Sequence, residues 1–198
     1  MATNPKDNED LKVISPIGTA AFPHLFTPHS FEAGKEPNFS LILVFPEGTD
    51  LSELKKTCLR AAIKKFGDKA KVKALVDRGQ LRWPWRDGAD YADYGEPFVA
   101  GSTFITIKSN QAPGVVNERA KPIMNEMDFY AGCQARASFL CWGYDSMGNK
   151  GVTLLLNNVQ KTGEGTRLSG RQSAENEFQP VAGAKGGSAL GDDDDLAF

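Results

Sequence analysis

Long apolar runs and disulfide-forming cysteine patterns are both missing from this sequence. No stretch of eighteen apolar residues occurs, which excludes a membrane-spanning helix. The segment from Met1 to Asp10 has neither the basic nor the apolar part of an export signal. The three cysteines are an odd number, which argues against a disulfide framework. We therefore expect a cytoplasmic protein with reduced thiols and no membrane partner.

Sequence motifs of common catalytic and metal sites are also absent. No GxSxG, GxxxxGK[ST] or HExxH pattern occurs, and no GxGxxG lies in a strand-turn-helix setting. His24 and His29 are separated by four residues in a proline-bounded loop, while Cys133 and Cys141 lie eight apart, so neither pair has zinc-finger spacing. We interpret these two cysteines and Cys58 as buried thiols. No enzymatic activity, cofactor or metal is expected.

Acidic charge is concentrated near residue 198. Four of the 25 acidic residues are consecutive at Asp192–Asp195, so the rest of the chain has 21 acidic residues against 23 Lys and Arg. This separation predicts a body that binds polyanions and an acidic interaction tail. Gly, Ala and Asp dominate residues 179–198, which we expect to be disordered. We expect residues 1–10 to be a flexible N-terminus and residues 11–178 to form one domain.

The central region predicts strands around one helix. Asn38–Phe45 is a continuous apolar run between prolines, typical of a strand buried on both faces. Asp50 and Glu53 can cap a helix that Gly67 ends. Residues 78–97 predict a long aromatic-rich loop.

Alternation along residues 129–144 predicts a long strand with two different faces. One face has small and apolar residues suited to a core, from Phe129 to Cys141. The other carries Tyr130, Arg136, Trp142 and Tyr144. Aromatic rings interleaved with an arginine are typical of a surface that stacks the bases of single-stranded nucleic acid.

Two further segments complete the predicted sheet. The strand of residues 101–108 places Phe104, Thr106 and Lys108 outward, and residues 149–159 form a hairpin with the long strand. Bent antiparallel strands with one inserted helix favour a mainly β, five-stranded Greek-key barrel of the OB-fold type.

Eleven residues are predicted to bind DNA from their place on or beside the outer face. They are Tyr130, Arg136, Trp142, Tyr144, Phe104, Lys108, Lys121, Lys150, Lys161, Trp83 and Trp85. Each has an alternative interpretation. Tyr130, Trp142 and Tyr144 could belong to the core, and Arg136 could pair with a carboxylate. Trp83 and Trp85 could pack the loop against the barrel, and the lysines are individually ordinary surface residues.

Four motifs and the acidic tail resemble the phage single-stranded DNA-binding proteins that have an OB-fold. The motifs are Phe22-Pro23-His24-Leu25-Phe26 with Pro28, Phe129-Tyr130-Ala131-Gly132-Cys133, Gly148-Asn149-Lys150-Gly151-Val152 and Leu156-Asn157-Asn158-Val159-Gln160-Lys161. The resemblance implies sequence-independent binding of single-stranded DNA in replication, recombination or repair in the cytoplasm of a phage-infected cell. It also implies that replication or recombination proteins are recruited through Asp192, Asp193, Asp194, Asp195, Leu196 and Phe198.

Two other functional classes stay open from the residues alone. Asp87, Asp90 and Asp93 could hold a metal for nuclease chemistry, although their spacing is more typical of a solvated loop. The acidic tail could alternatively make the protein an interaction module. The sequence leaves a monomer and a dimer equally open.

Overall fold

The computed structural model describes residues 5–30 and 34–168, with the side chains of residues 8–30 and 34–168. Its architecture is mainly β, as predicted. The strands are β1 (Lys12–Ile14), β2 (Gly18–His29), β3 (Asn38–Phe45), β4 (Leu81–Arg82), β5 (Trp85–Asp87), β6 (Thr103–Ser109), β7 (Gly114–Val116), β8 (Gln134–Ser146) and β9 (Asn149–Gly163). The helices are α1 (Ser52–Phe66), α2 (Lys69–Asp77) and three short 3-10 segments, Pro5–Leu11, Gly88–Tyr94 and Glu126–Asp128.

The nine strands of the described residues belong to one sheet. Seven of them follow the order β1-β8-β2-β3-β6-β9-β4, while β5 pairs with β6 and β7 pairs with β9. β8 also pairs with β9, so the pairings of β2, β3, β6, β9 and β8 close into a circuit. Within that circuit only β6 and β9 run parallel. The sheet has nine strands where five were predicted. The four strands outside the circuit have two or three residues each, too few for a periodic pattern to be seen in the sequence.

The main core lies between the inner faces of these strands and α1. Phe45, Phe139 and Leu154 are almost fully buried there. Cys58 of α1 meets Cys141 of β8 with 3.6 Å between the sulfur atoms. This hydrogen bond and burial raise the pKa of the Cys58 thiol. The predicted burial of the cysteines is therefore confirmed.

The predicted helix is confirmed as α1. Its N-cap residue is Leu51, which makes no side-chain cap hydrogen bond, so the predicted cap by Asp50 and Glu53 is wrong. Asp50 Oδ1 instead accepts a hydrogen bond from the Ser52 amide at 2.8 Å from the position before the cap, and Gly67 follows the last turn with a φ of 115°. The second helix, α2, was not predicted. Lys69, Lys71 and Lys73 continue the basic run of α1 along the sequence, and Val72 is the only buried residue of α2.

Three segments differ from expectation. His24 and His29 lie in strand β2 and not in a loop. The long strand begins at Gln134 and not at residue 129, because a turn at Gly132, with a φ of 108°, precedes it. The expected loop at 78–97 contains β4, β5 and a 3-10 segment. Residues 5–11 form a 3-10 segment in which Asn8 and Leu11 are buried, while the flexibility expected of residues 1–10 stays a prediction.

The predicted disordered tail, residues 179–198, lies outside the described residues, as does the predicted boundary at residue 178. Contacts define one compact unit over Met1–Leu168. Among the helices of the described ranges, none has the length and apolar character needed to cross a membrane.

Candidate nucleic-acid interface

A groove of about 640 Å³ crosses the outer face of the sheet. It is lined by Phe22, Ser40, Ile42, Arg82, Trp83, Pro84, Arg86, Tyr91, Thr106, Lys108, Tyr144, Val152 and Thr153. Register explains how distant residues meet here. Ser40 of β3 pairs with Lys108 of β6, and Arg82 of β4 pairs with Gly151 of β9. The groove therefore runs across the strands, from β2 through β3 and β6 to β9.

The charge of the groove is entirely positive. Arg82, Arg86 and Lys108 line it, and no carboxylate is among the described residues that do so. All three basic residues are exposed. Since each phosphate of a nucleic acid carries one negative charge, this arrangement suits a phosphate backbone.

Two aromatic side chains of the groove are held by specific contacts. Trp83 stacks on Trp85 with 4.9 Å between the ring centroids and 11° between the planes. Lys55 Nζ lies 5.8 Å from the centroid of Trp85. Tyr144 lies against Gly151, where an added Cβ would be 2.7 Å from the tyrosine oxygen. Only glycine at position 151 leaves room for this tyrosine.

A second hydrophobic cluster closes one part of the same outer face. It buries Phe104, which is 1% exposed, under Phe98 and Tyr91. Tyr91 and Phe104 have centroids 4.8 Å apart. The alternation predicts Phe104 on the outward side of its strand, away from the main core, but it does not predict this burial. The outer face of β6 does hold this residue, but the segment of residues 88–98 covers it.

Tyr130 and Lys161 lie outside the groove, in a cluster of polar contacts. The Tyr130 hydroxyl donates to Glu164, and Lys161 Nζ donates to Glu164 Oε1 at 2.7 Å. Arg167 lies over the tyrosine ring, with its guanidinium carbon 4.0 Å from the centroid. Burial favours a lower pKa for Lys161, but the hydrogen bond and charge of Glu164 outweigh it and raise the pKa. These contacts already occupy the ring and the ammonium group.

Four other predicted residues also lie elsewhere. Trp142 borders a separate cavity of about 100 Å³ with Leu11, Lys64 and Lys65. Arg136 Nε donates to Gln160 at 2.9 Å, and Lys150 pairs with Asp145 at 3.9 Å. Lys121 is exposed in the loop after β7. The groove therefore brings together Trp83, Tyr144 and Lys108 from the predicted set, with Trp85 behind Trp83.

Among the aromatic and basic residues of the groove, sequence reasoning missed four: Phe22, Arg82, Arg86 and Tyr91. A signal for the arginines was present, because they flank the two tryptophans in the run Arg82-Trp83-Pro84-Trp85-Arg86. Phe22 and Tyr91 had no such local signal.

The acidic loop that could have served a nuclease has a structural role at its first residue. Asp87 Oδ1 accepts a hydrogen bond from the Ala89 amide at 2.9 Å and so caps the 3-10 segment. Within the residues described by the structure, no three His, Cys, Asp or Glu side chains are grouped to hold a metal ion.

Solved structures similar to this chain include single-stranded DNA-binding proteins of two bacteriophages. The protein from bacteriophage Enc34 in complex with ssDNA matches with a TM-score of 0.67 at 20% identity, over 81% of this chain and 91% of that one. Another Enc34 structure gives 0.63 at 19%, over 86% and 92%. The gp2.5 protein of bacteriophage T7 gives 0.57 at 14%, over 81% and 96%. No curated protein matches the chain in a sequence comparison.

A family model matches most of the chain, well beyond the four motifs on which the resemblance was based. It represents the ssDNA-binding protein of Enterobacter phage Enc34, and it matches residues 12–190. The resemblance to phage single-stranded DNA-binding proteins is confirmed by this match, and the family is one of binding proteins, in agreement with the expectation that the chain is not an enzyme. The chain belongs to the family of the Enterobacter phage Enc34 ssDNA-binding protein.

Proposed function

We propose that the groove between β2 and β9 binds single-stranded DNA with little sequence preference. The observation that carries this proposal is the meeting of three basic side chains with aromatic rings in one groove whose described lining has no carboxylate. Arg82, Arg86 and Lys108 neutralise phosphates. Trp83 and Tyr144 offer ring faces to bases.

Stacking explains why the preference is for single strands. Every base has a π-face, so stacking tolerates any sequence. The bases of a duplex are already stacked on each other and cannot use the rings without unpairing. The protein of Enc34, with which this chain shares its fold, is solved in complex with ssDNA.

The OB-fold assignment is part of the same proposal. The circuit β2-β3-β6-β9-β8 has five strands, and its parallel β6–β9 pair supports a small closed Greek-key barrel. The remaining four strands and α2 are additions to it. OB-folds bind oligonucleotides across a strand face, which agrees with the position of the groove.

The test is a fluorescence-anisotropy titration with labelled oligo(dT) and a matched duplex. We expect the single strand to bind at least tenfold tighter. The double variant Trp83→Ala with Arg86→Gln should lose most of this affinity. Lys73→Gln serves as the control, because Lys73 lies on α2, outside the groove, in an ion pair with Asp77. Equal affinity for duplex, or full binding by the double variant, would contradict the proposal.

We also propose that the acidic tail recruits replication or recombination proteins in the phage-infected cell. Support comes from the sequence, where Asp192–Asp195 precede Leu196 and Phe198. The acidic run can steer a basic partner and the apolar side chains can fill a pocket on it.

A further inference from the structure

Phe22 has a backbone conformation that is unusual for a bulky residue. Its φ is 45°, in the left-handed region, and the pairing of β2 with β3 shifts register between Ala21 and His24. A glycine would adopt this conformation without strain, whereas phenylalanine does so at a cost. Strained backbone of this kind is concentrated at functional positions. The conformation of Phe22 therefore indicates that its ring is positioned for a ligand.

The strained conformation places Phe22 at the β2 end of the groove. Its ring is half-buried, so part of it remains open. The ring of Tyr94 meets it edge to face, with 5.2 Å between centroids and 81° between planes, and Tyr94 is 61% exposed. Phe98 supports the ring from the second hydrophobic cluster at 6.1 Å. Phe22 is thus fixed by two aromatic neighbours while it borders the groove.

Ser40 gives an independent indication of a ligand at the same end. It is 3% exposed and lines the groove, and its Oγ has no hydrogen-bond partner among the residues that the structure describes. Its register neighbours are His24 on β2 and Lys108 on β6, so it lies between the Phe22 strand and a groove cation. A buried hydroxyl without a partner is costly, and a nucleotide oxygen or nitrogen would satisfy it.

We propose that Phe22, Ser40 and Tyr94 form a nucleotide subsite at the β2 end of the groove. One base stacks on the Phe22 ring, Tyr94 holds that ring in place, and the Ser40 hydroxyl hydrogen-bonds to the same nucleotide. The subsite rests on the proposed function, and it adds a defined nucleotide position at one end of the groove. Tyr144 lies against Gly151 of β9. Across β3 and β6, three strand spacings or roughly 14 Å separate β2 from β9, so the nucleotide at Phe22 differs from the one at Tyr144.

The experiment uses oligo(dT) of one site length, which fixes its register, with a single abasic nucleotide moved along it. For the wild-type protein we expect an abasic position near one end to weaken binding about 5- to 150-fold, the loss typical of one stacked base. Phe22→Leu should weaken binding of the intact oligonucleotide by the same factor. An abasic nucleotide at that one position should cause no further loss of affinity in this variant, whereas abasic nucleotides at other positions still should.

Two variants separate the subsite from general damage to the fold. Phe26→Leu is the matched control, because Phe26 is a half-buried phenylalanine of β2 that packs on the main core. It should bind as the wild type does. Ser40→Ala removes the unpaired hydroxyl, so it should keep or raise the melting temperature while weakening DNA binding about fivefold.

The subsite is overturned if Phe22→Leu binds the intact oligonucleotide like the wild type, or if it stays sensitive to every abasic position. An equal loss in Phe26→Leu would also overturn it. Full affinity in Ser40→Ala would remove Ser40 from the subsite. Failure of the wild-type protein to bind any single strand is a different result, and it would contradict the proposed function itself.

Discussion

The indole of Trp83 lies flat on the indole of Trp85, 4.9 Å away, and only Trp83 of the two borders the groove. Trp85 is held from its own side, since it pairs with Ile105 through β5 and has the Lys55 ammonium near its ring. The two rings are therefore not equivalent. The Trp83 ring lines the groove, and Trp85 supports it from outside the groove.

Replacement of Trp83 by alanine should weaken oligo(dT) binding by about 1 to 3 kcal/mol, because one stacking surface is lost. It should also remove most of the quenching of tryptophan emission on binding. Trp142→Phe is the control, since Trp142 borders a different cavity. The measurement is a fluorescence titration. Quenching that persists in Trp83→Ala and disappears in Trp142→Phe would place the bases on the other side of β8.

Salt dependence should report the groove cations directly. Each phosphate neutralised on a single strand contributes a slope of about -0.7 to the plot of log affinity against log salt. Arg86→Gln should therefore reduce the slope by about that amount, whereas Lys73→Gln should leave it unchanged. Titrations at four or more salt concentrations check this. An unaltered slope in Arg86→Gln would mean that no phosphate contacts this arginine.

The sequence predicts the long elements well and the groove only in part. β3, α1 and the β8–β9 hairpin have continuous or periodic apolar patterns, and each is present. The burial of Phe104 could not be predicted, because the residues that cover it, Phe98 and Tyr91, belong to a separate segment. Strand periodicity gives the face on which a side chain lies, but not what packs over that face.

The same limit of strand periodicity explains why only some of the predicted DNA-binding residues line the groove. Tyr130 and Trp142 alternate correctly with the core residues of their segment, yet neither lines the groove with Tyr144. Tyr130 precedes β8 in a turn, and its ring is engaged by Arg167. Sharing one face in a linear pattern does not bring residues together when the chain turns or the strand coils.

Close packing of α1 on β8 depends on Gly143. A Cβ at this position would lie 2.5 Å from Lys65 Cβ and 2.9 Å from the Ala61 carbonyl oxygen. Gly143→Ala should therefore push the helix outward and lower the free energy of unfolding by about 1 to 3 kcal/mol. Gly163→Ala is the control, since its Cβ would meet nothing nearer than 3.8 Å. Urea denaturation of both variants measures the difference, and equal midpoints would contradict the packing argument.

Stability should fall in acid through the contacts of Glu164. Hydrogen bonds from Lys161 and Tyr130 lower the pKa of Glu164 below its ordinary value of 4.5. A lowered pKa means that the unfolded chain binds a proton more readily than the folded protein does. The stabilisation by ionised Glu164 is therefore complete above pH 4.5 and is lost as the pH falls through the pKa of the folded state.

Glu164→Gln should be less stable at pH 7 and should lose less stability between pH 5 and pH 3 than the wild type does. Tyr130→Phe removes one of the two hydrogen-bond donors to Glu164, so its loss of stability between pH 5 and pH 3 should lie between those of the wild type and Glu164→Gln. Urea midpoints at each pH test this, and parallel profiles for the wild type and Glu164→Gln would exclude the carboxylate as a source of acid sensitivity.

The acidic tail should compete with DNA for the groove. Asp192–Asp195 supply four negative charges, and the described groove lining is positive without any carboxylate. Attraction between them is screened by salt, so its effect should be greatest at low ionic strength. A variant with these four residues changed to Asn should bind oligo(dT) more tightly than the wild type at low salt, and the two should converge as salt rises. Phe198→Ala keeps the charge and should leave DNA affinity nearly unchanged, which separates the electrostatic part of the tail from its apolar part. Anisotropy titrations at low and high salt make the comparison, and weaker DNA binding by the Asn variant at low salt would show that the tail assists binding and does not compete with it.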